Sequence, residues 1–288
     1  MIFKYVKYGV LIFFATGLGV LLAQSQMRDL HRSESLGRER QLDVSVEYGI
    51  GEFIMRPGPS GIAFVADLRY DEDEAHPEVE YHVSGRTGYL SLKSHSEEDD
   101  HQHQRLRDNQ NRGELQFNPD LPTSMHLEFG LGKGQLDFGG AHITDLHLEN
   151  GLSETVVNFS SPNKSEPDLV KFETGLGKFR AENLGNARFQ RFEFSVGLGS
   201  ASLDFHDIRR ARTTAEIEVG LGSATILLPQ SVGVQVNAED SFLSRVSFDS
   251  DFRKHNGAYY SSNWNSAKRK MIIDLSVGLG SADVEIVP

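Results

Sequence analysis

The sequence predicts an all-β protein, a stacked, solenoid-like repeat of about 22 residues per coil with Gly-Leu-Gly corners, plus inserted β-strands. Three observations carry this. Gly-Leu-Gly starts at residues 130, 175, 197, 220 and 278 (a further match, Gly17-Leu18-Gly19, lies in the N-terminal apolar run and is set aside), and Gly49-Ile50-Gly51 and Gly151-Leu152-Ser153 are relaxed copies. From 130 to 220 the starts are spaced by 21, 24, 22 and 23 residues, and self-similarity at such a period marks a repeat architecture. The flanks of each copy alternate apolar and polar, which is the period of half-buried strands.

The alternation is seen by aligning the copies on the first glycine. One residue before it stand Tyr48, Phe129, Asn150, Thr174, Val196, Val219 and Val277. Three before stand Val46, Leu127, Leu148, Phe172, Phe194, Ile217 and Leu275, and five before stand Val44, Met125, Leu146, Val170, Phe192, Ala215 and Ile273. After the turn, Leu136 and Phe138, Val157 and Phe159, Leu203 and Phe205, Ile226 and Leu228, and Val284 and Ile286 keep the pattern. Each unit therefore reads as strand, corner, strand and looser return. One unit cannot bury its own apolar face, whereas stacked units bury a continuous core. Gly49, Gly130, Gly151, Gly175, Gly197, Gly220 and Gly278 open the corners, where glycine permits positive φ and close approach of neighbouring coils. The middle residue is Leu or Ile in every copy. Extending the alternation through the turn points it inward, with Leu198 buried between Leu176 and Leu221.

The other elements follow along the chain. Lys4 and Lys7 precede an apolar run from Tyr8 to Ala23, and Ala23-Gln24-Ser25 offers small residues for cleavage. Residues 1–25 read as a secretory signal. The rival reading, an uncleaved anchor, has a run slightly short for a membrane span. Residues 26–42, with "HRSESLGRER", read as a linker. Residues 43–120 read as an N-terminal domain containing the first copy, followed by alternating strands in "GIAFVADLRY", "EVEYHVSG", "GYLSLKSH" and "GELQFN". Residues 121–288 read as the β-solenoid, interrupted at 230–270 by an insertion that carries Phe242, Phe248, Phe252, Tyr259, Tyr260 and Trp264, the only tryptophan.

Composition excludes several functions. Cysteine is absent, so there is neither a disulfide framework nor a thiolate metal site. The formal charge is −12, and losing Lys4 and Lys7 with the signal takes it to −14. Such a surface argues against nucleic acid, which needs a basic patch. Nucleotide binding fails on context, because a dinucleotide fingerprint puts a helix after its glycines and here a strand follows each corner. Calcium-binding nonapeptide rolls need a repeated Asp five residues after the first glycine, and only Asp283 fits. No catalytic triad order, nucleophile elbow or metalloprotease motif appears. Converging carboxylates can run glycan chemistry, but a regular ladder of carboxylates is not a site. No catalytic residue and no cofactor is expected.

Three groups remain as candidates. Two residues before the corner stand Glu47, Glu128, Glu149, Glu173, Ser195, Glu218 and Ser276. Stacking makes Glu128, Glu149 and Glu173 an outward ladder, a solvated face or a set of oxygen ligands for a divalent cation. His95, His101 and His103 lie among Glu97, Glu98, Asp99 and Asp100, a polar loop whose spacing matches no compact zinc motif. In the insertion, Tyr259, Tyr260 and Trp264 either cap the stack or contact a ligand.

The stretches "YDEDEAHPEVEYHVSGRTGYLSLK" at 70–93, "GELQFNPDLPTSMHLEFGLGKGQLDFGGAHITDLHLENGLSETVVNF" at 113–159 and "GAYYSSNWNSAKRKMIIDLSVGLGSADVEIVP" at 257–288 resemble bacterial toast-rack envelope proteins. The N-terminal part is similar to the DUF2154 domain. The C-terminal part is similar to the domain of LiaF-like cell-wall stress proteins and adhesins of the DUF4097 type. The resemblance implies a β-solenoid-like stack and no catalytic residues. LiaF-like regulators have several membrane helices, and this chain has no second apolar run able to cross a membrane. The expectation is a non-enzymatic protein exported to the periplasm or envelope, structural, adhesin-like or binding an envelope protein or glycan. The alternatives are a carbohydrate-active enzyme on a β-helix scaffold and an envelope-stress sensor.

Overall fold

The computed structural model describes residues 26–95, 110–238 and 243–288. The signal reading at 1–25, the polar loop around His101 and His103, and Phe242 fall outside them. The strands are β1 (Met27–Ser35), β2 (Gln41–Pro57), β3 (Ile62–Asp71), β4 (His76–Ser84), β5 (Thr87–His95), β6 (Arg112–Phe117), β7 (Thr123–Asp137) and β8 (Ile143–Asn158). They continue as β9 (Leu169–Glu182), β10 (Arg191–Asp204), β11 (Arg212–Pro229), β12 (Gly233–Ala238), β13 (Ser244–Phe248), β14 (Phe252–His255), β15 (Ala258–Ser261) and β16 (Lys270–Val287). All belong to one sheet of sixteen strands. A single 3-10 turn, Leu184–Ala187, is the only helical piece among the described residues.

The repeat is the spine. Strands β2, β7, β8, β9, β10, β11 and β16 lie side by side, parallel, each bent at its corner. Like stacks on like: Phe194 pairs with Phe172 and Ile217, and Val196 with Thr174 and Val219. The columns one, three and five residues before the corner are all buried, as are Leu136, Phe138, Val157, Phe159, Leu203, Phe205, Ile226, Leu228 and Val284 after it. The two arms of each rung face each other across this core. Phe172 and Phe179, on opposite arms of β9, lie 5.5 Å apart. The looser returns close the third side and are tied by buried asparagines. Asn163 Oδ1 accepts from the Ile143 N–H and its Nδ2 donates to the Ile143 carbonyl, both at 2.8 Å.

One expectation is corrected here. The corner leucines do not point inward. Leu198 is 46% exposed, and Leu152, Leu176, Leu221 and Leu279 are comparably open. The parity of the strand resets at the corner: inward residues run Phe192, Phe194, Val196 and then Ala201, Leu203, Phe205. The reset falls between Val196 and Leu198, since Leu198 is already outside. The β8 corner makes the same reset with Ser153 in place of the second glycine. The positive φ of the corner, +145° at Gly199 and similar at Gly132, Gly177, Gly222 and Gly280, lies just beyond it, at the second glycine and not the first. Inside the bend, side chains of the two arms already meet, with Phe179 5.2 Å from Phe194. No room remains there for a leucine.

The ends are built differently. Beyond β2, the next rung is made of two strands, with β5 parallel to its first half and β6 to its second. Antiparallel strands close it, β4 on β5, and β3 then β1 on β6. Residues Met27–Ser35, read from sequence as linker, thus form the outer strand, because Leu30 and its neighbours pair with β3. At the other end the C-terminal strand β16 sits inside the stack. The insertion continues past it, with β12 on the first half of β16 and β13 on the second. The β14–β15 hairpin closes that rung on β12.

Candidate functional site

The parity reset puts one column of apolar side chains at the surface, half-buried at Ile50 and Leu131 and exposed at the five later corners. Ile50, Leu131, Leu152, Leu176, Leu198, Leu221 and Leu279 pair in unbroken register from β2 to β16. Leu243, which precedes the Gly280 partner Ser244, is also exposed. Six steps of about 4.8 Å make the ridge about 29 Å long. Scattered exposed leucines need no explanation; here they form a contiguous line in register along the stack.

An acidic column runs beside the ridge, two residues before five of the seven corners, with Ser195 and Ser276 at the other two. Sequence reasoning placed Glu128, Glu149 and Glu173 in it as bare like charges. The structure brings bases among them from the column four residues before the corner: His126, His147 and Lys171. His126 Nε2 lies 2.9 Å from Glu128 Oε1. His147 Nε2 lies 3.3 Å from Glu149 Oε1 and 2.9 Å from Glu173 Oε2. Lys171 Nζ lies 2.9 Å from the same Glu173 oxygen, and Lys93 pairs with Glu47 at 2.7 Å. His147 and then Lys171 hold the Glu173 carboxyl below the usual glutamate range. Pairing of this kind relieves the repulsion a carboxylate ladder would suffer. Farther along, Glu193, Glu216 and Glu218 keep the face acidic. Across the first three corners lies a shallow groove of about 330 Å³, lined by Glu47, Glu128 and Glu149, by Tyr48, Phe129 and Asn150, and by the corner glycines Gly49, Gly130 and Gly151.

The histidines were legible but unread. "HLEFG" at 126–130 and "HLENG" at 147–151 put the same His-x-Glu on adjacent rungs, and the alignment that exposed the glutamates holds the histidines two residues earlier.

The insertion's aromatics are not open to solvent as a set. The Tyr259 ring stacks on Phe248 at 3.8 Å, under the Lys254 ammonium. Tyr260 meets Trp264 edge to face at 5.5 Å, and Lys270 Nζ lies 4.5 Å from the Trp264 ring centroid. All three are half-buried, holding the closing hairpin to the last rung.

The N-terminal domain model of the toast-rack family, DUF2154, matches residues 24–182, more than half of the chain. The chain belongs to the toast-rack family. No functionally curated protein matches it. Among solved structures, one of "a putative cell adhesion protein" from Clostridium sporogenes is 18% identical with a TM-score of 0.50, over 91% of this chain and all of that one. This likeness supports the fold. "A putative adhesin" from Bacteroides fragilis is 11% identical with a TM-score of 0.38, over 90% of this chain and 97% of that one. No described helix is long and apolar enough to cross a membrane.

Proposed function

We propose that this toast-rack protein is a non-enzymatic, exported component of the cell envelope that works by binding a protein partner along the corner ridge. The observation that carries the reading is the exposed leucine column. Nothing in the stack requires an apolar residue there, because the side chain lies outside the core, yet every corner supplies one. The acidic column beside it selects the partner's chemistry: an apolar ridge flanked by lysine or arginine. Apolar contact would supply affinity and the flanking charges orientation and on-rate. The signal reading of residues 1–25 and the adhesin descriptions of similar structures point the same way.

The test is a triple variant, Leu176→Ser, Leu198→Ser and Leu221→Ser, in the full chain. Binding to isolated envelope, measured by quantitative pull-down with partner identification, should fall at least about tenfold and the melting curve should stay put. The captured protein should bind wild type more weakly at high salt. Undiminished binding by the variant overturns the reading. So does a change of oligomeric state in sedimentation as its sole effect, which would give the ridge to a second copy.

A further inference from the structure

We propose that His126, His147 and Glu149 form a binding site for a borderline divalent transition-metal cation, of the Zn²⁺ class, on the acidic face of the stack. The site arises from the repeat itself. His126-Leu127-Glu128 on β7 and His147-Leu148-Glu149 on β8 lie in register, His126 opposite His147 and Glu128 opposite Glu149. Alternation sends Leu127 and Leu148 into the core and the histidines and glutamates out. The core leucines thus fix the backbone positions of all four polar residues.

The geometry is close to what a cation needs. The two imidazole rings meet edge to face at 4.9 Å between centroids. One ligand atom from each of His126, His147 and Glu149 lies within 4.8 Å of the others. A tetrahedral ion with ligands at about 2.0–2.1 Å would draw them to about 3.4 Å apart. Side-chain rotation supplies this, since Glu149 is 47% and His147 27% exposed. The Nε2 atoms of both histidines already face carboxylate oxygens, so the ion would replace a proton between imidazole and carboxylate. Two imidazole nitrogens favour Zn²⁺, Co²⁺, Ni²⁺ or Cu²⁺ over Ca²⁺ and Mg²⁺, which prefer all-oxygen shells.

The neighbouring rungs bound the site. On β9, Lys171 occupies the histidine position and holds Glu173, so Glu173 belongs to the lysine and is not a ligand. When His147 turns to the ion, Glu173 keeps Lys171. On β2 the same position is Ser45, which pairs with His126 in register and has no imidazole to offer. The His-x-Glu pair therefore occurs on two adjacent rungs only. The proposed ligand set is thus two nitrogens and one carboxylate rather than the three carboxylates of Glu128, Glu149 and Glu173, with water or Glu128 completing the shell.

The experiment is calorimetric titration of the full chain with Zn²⁺, with His101→Gln and His103→Gln in every sample to silence the polar loop. Co²⁺ absorption then serves as a second readout. The loop-silenced parent should bind one Zn²⁺ per chain and give the visible bands of tetrahedral Co²⁺. His147→Gln should weaken Zn²⁺ binding by at least about tenfold and remove those bands, and Glu149→Gln should weaken it severalfold. Lys171→Gln should not weaken it. Melting curves without metal show whether each variant folds, and His126→Gln gives an independent deletion if His147→Gln does not. Equal Zn²⁺ affinity in the His126→Gln, His147→Gln double variant, or stabilisation by Ca²⁺ as large as by Zn²⁺, overturns the proposal.

Discussion

From β7 to β11 every rung is one continuous strand bent at a corner, whereas the rung at each end of the stack is assembled from two strands, β5 with β6 and β12 with β13. The two halves come from separate stretches of chain, and neither end rung carries Gly-Leu-Gly. The contrast shows what the corner glycines are for. In the middle, each second glycine sits against the carbonyl of the preceding rung: a Cβ on Gly199 would lie 2.0 Å from the Gly177 oxygen, and one on Gly222 1.8 Å from that of Gly199. The ends have a neighbour on one side only, so they can break the chain and close with antiparallel hairpins, which also block further strand addition. Stacking, rather than the turn itself, imposes the repeat.

The largest expected effect tests that distinction. Gly199→Val puts a branched side chain at φ +145° into a backbone oxygen and should cost about 4 kcal/mol or more. Gly85, in the hairpin between β4 and β5, has φ +62° but nothing within 4 Å of a Cβ. Gly85→Ala should cost only about 1–2 kcal/mol, the left-handed penalty alone. Urea unfolding of both variants measures the difference. Equal losses would mean that the corner is demanding as an isolated turn and that contact between rungs is not the cause.

An end of the stack also holds a buried charge, which the regular rungs avoid. Glu39 is 1% exposed. Burial pushes its carboxyl up, but the Gly37 N–H at 2.9 Å, the Tyr81 hydroxyl at 3.0 Å and the charge of Arg40 together hold it below the ordinary glutamate value. A depressed folded-state pKa stabilises the protein above the unfolded value of about 4.3, and that contribution is lost as pH falls through the folded value. Glu39→Gln should therefore cost about 1–3 kcal/mol at neutral pH, with wild type and variant converging in acid. Denaturant midpoints at pH 7 and pH 3 check this. A gap that persists unchanged at pH 3 would assign the role of Glu39 to packing rather than to charge.

The same contrast explains what could be read from the chain. The Val44, Val46 and Phe192, Phe194 columns are plain in the sequence because alternation is a local rule and each rung repeats it. Two strands per end rung were not legible, since pairing of β12 and β13 with β16 depends on contacts across the insertion. The linker reading failed at Met27–Ser35 for a related reason: an outer strand with one partner needs little apolar patterning. At the corner, alternation was carried one step too far, because the bend sets the inward Val196 and Ala201 five positions apart and a local period-two rule does not see a bend. The acidic column was legible, but its meaning changed once His126, His147 and Lys171 were placed among the carboxylates by stacking.

The smallest expected effect on stability is the most informative about the ridge. Phe194 and Leu198 stand four residues apart on one strand, and simple alternation gives them the same side. Phe194 is 2% exposed and Leu198 46%. Phe194→Ala should cost about 3–5 kcal/mol, as truncation of a buried aromatic does. Leu198→Ala removes a side chain already half in water, in register with Leu176 and Leu221 of the same exposed column, and should change stability by no more than about 0.5 kcal/mol. A matched pair of denaturation curves decides it. A loss at Leu198 approaching that at Phe194 would put the corner residues back into the structural core and remove the ground for reading the column as a surface held out for a partner. A negligible loss leaves a line of leucines that folding does not use, and affinity for a partner becomes the quantity in which Leu198→Ala should be felt.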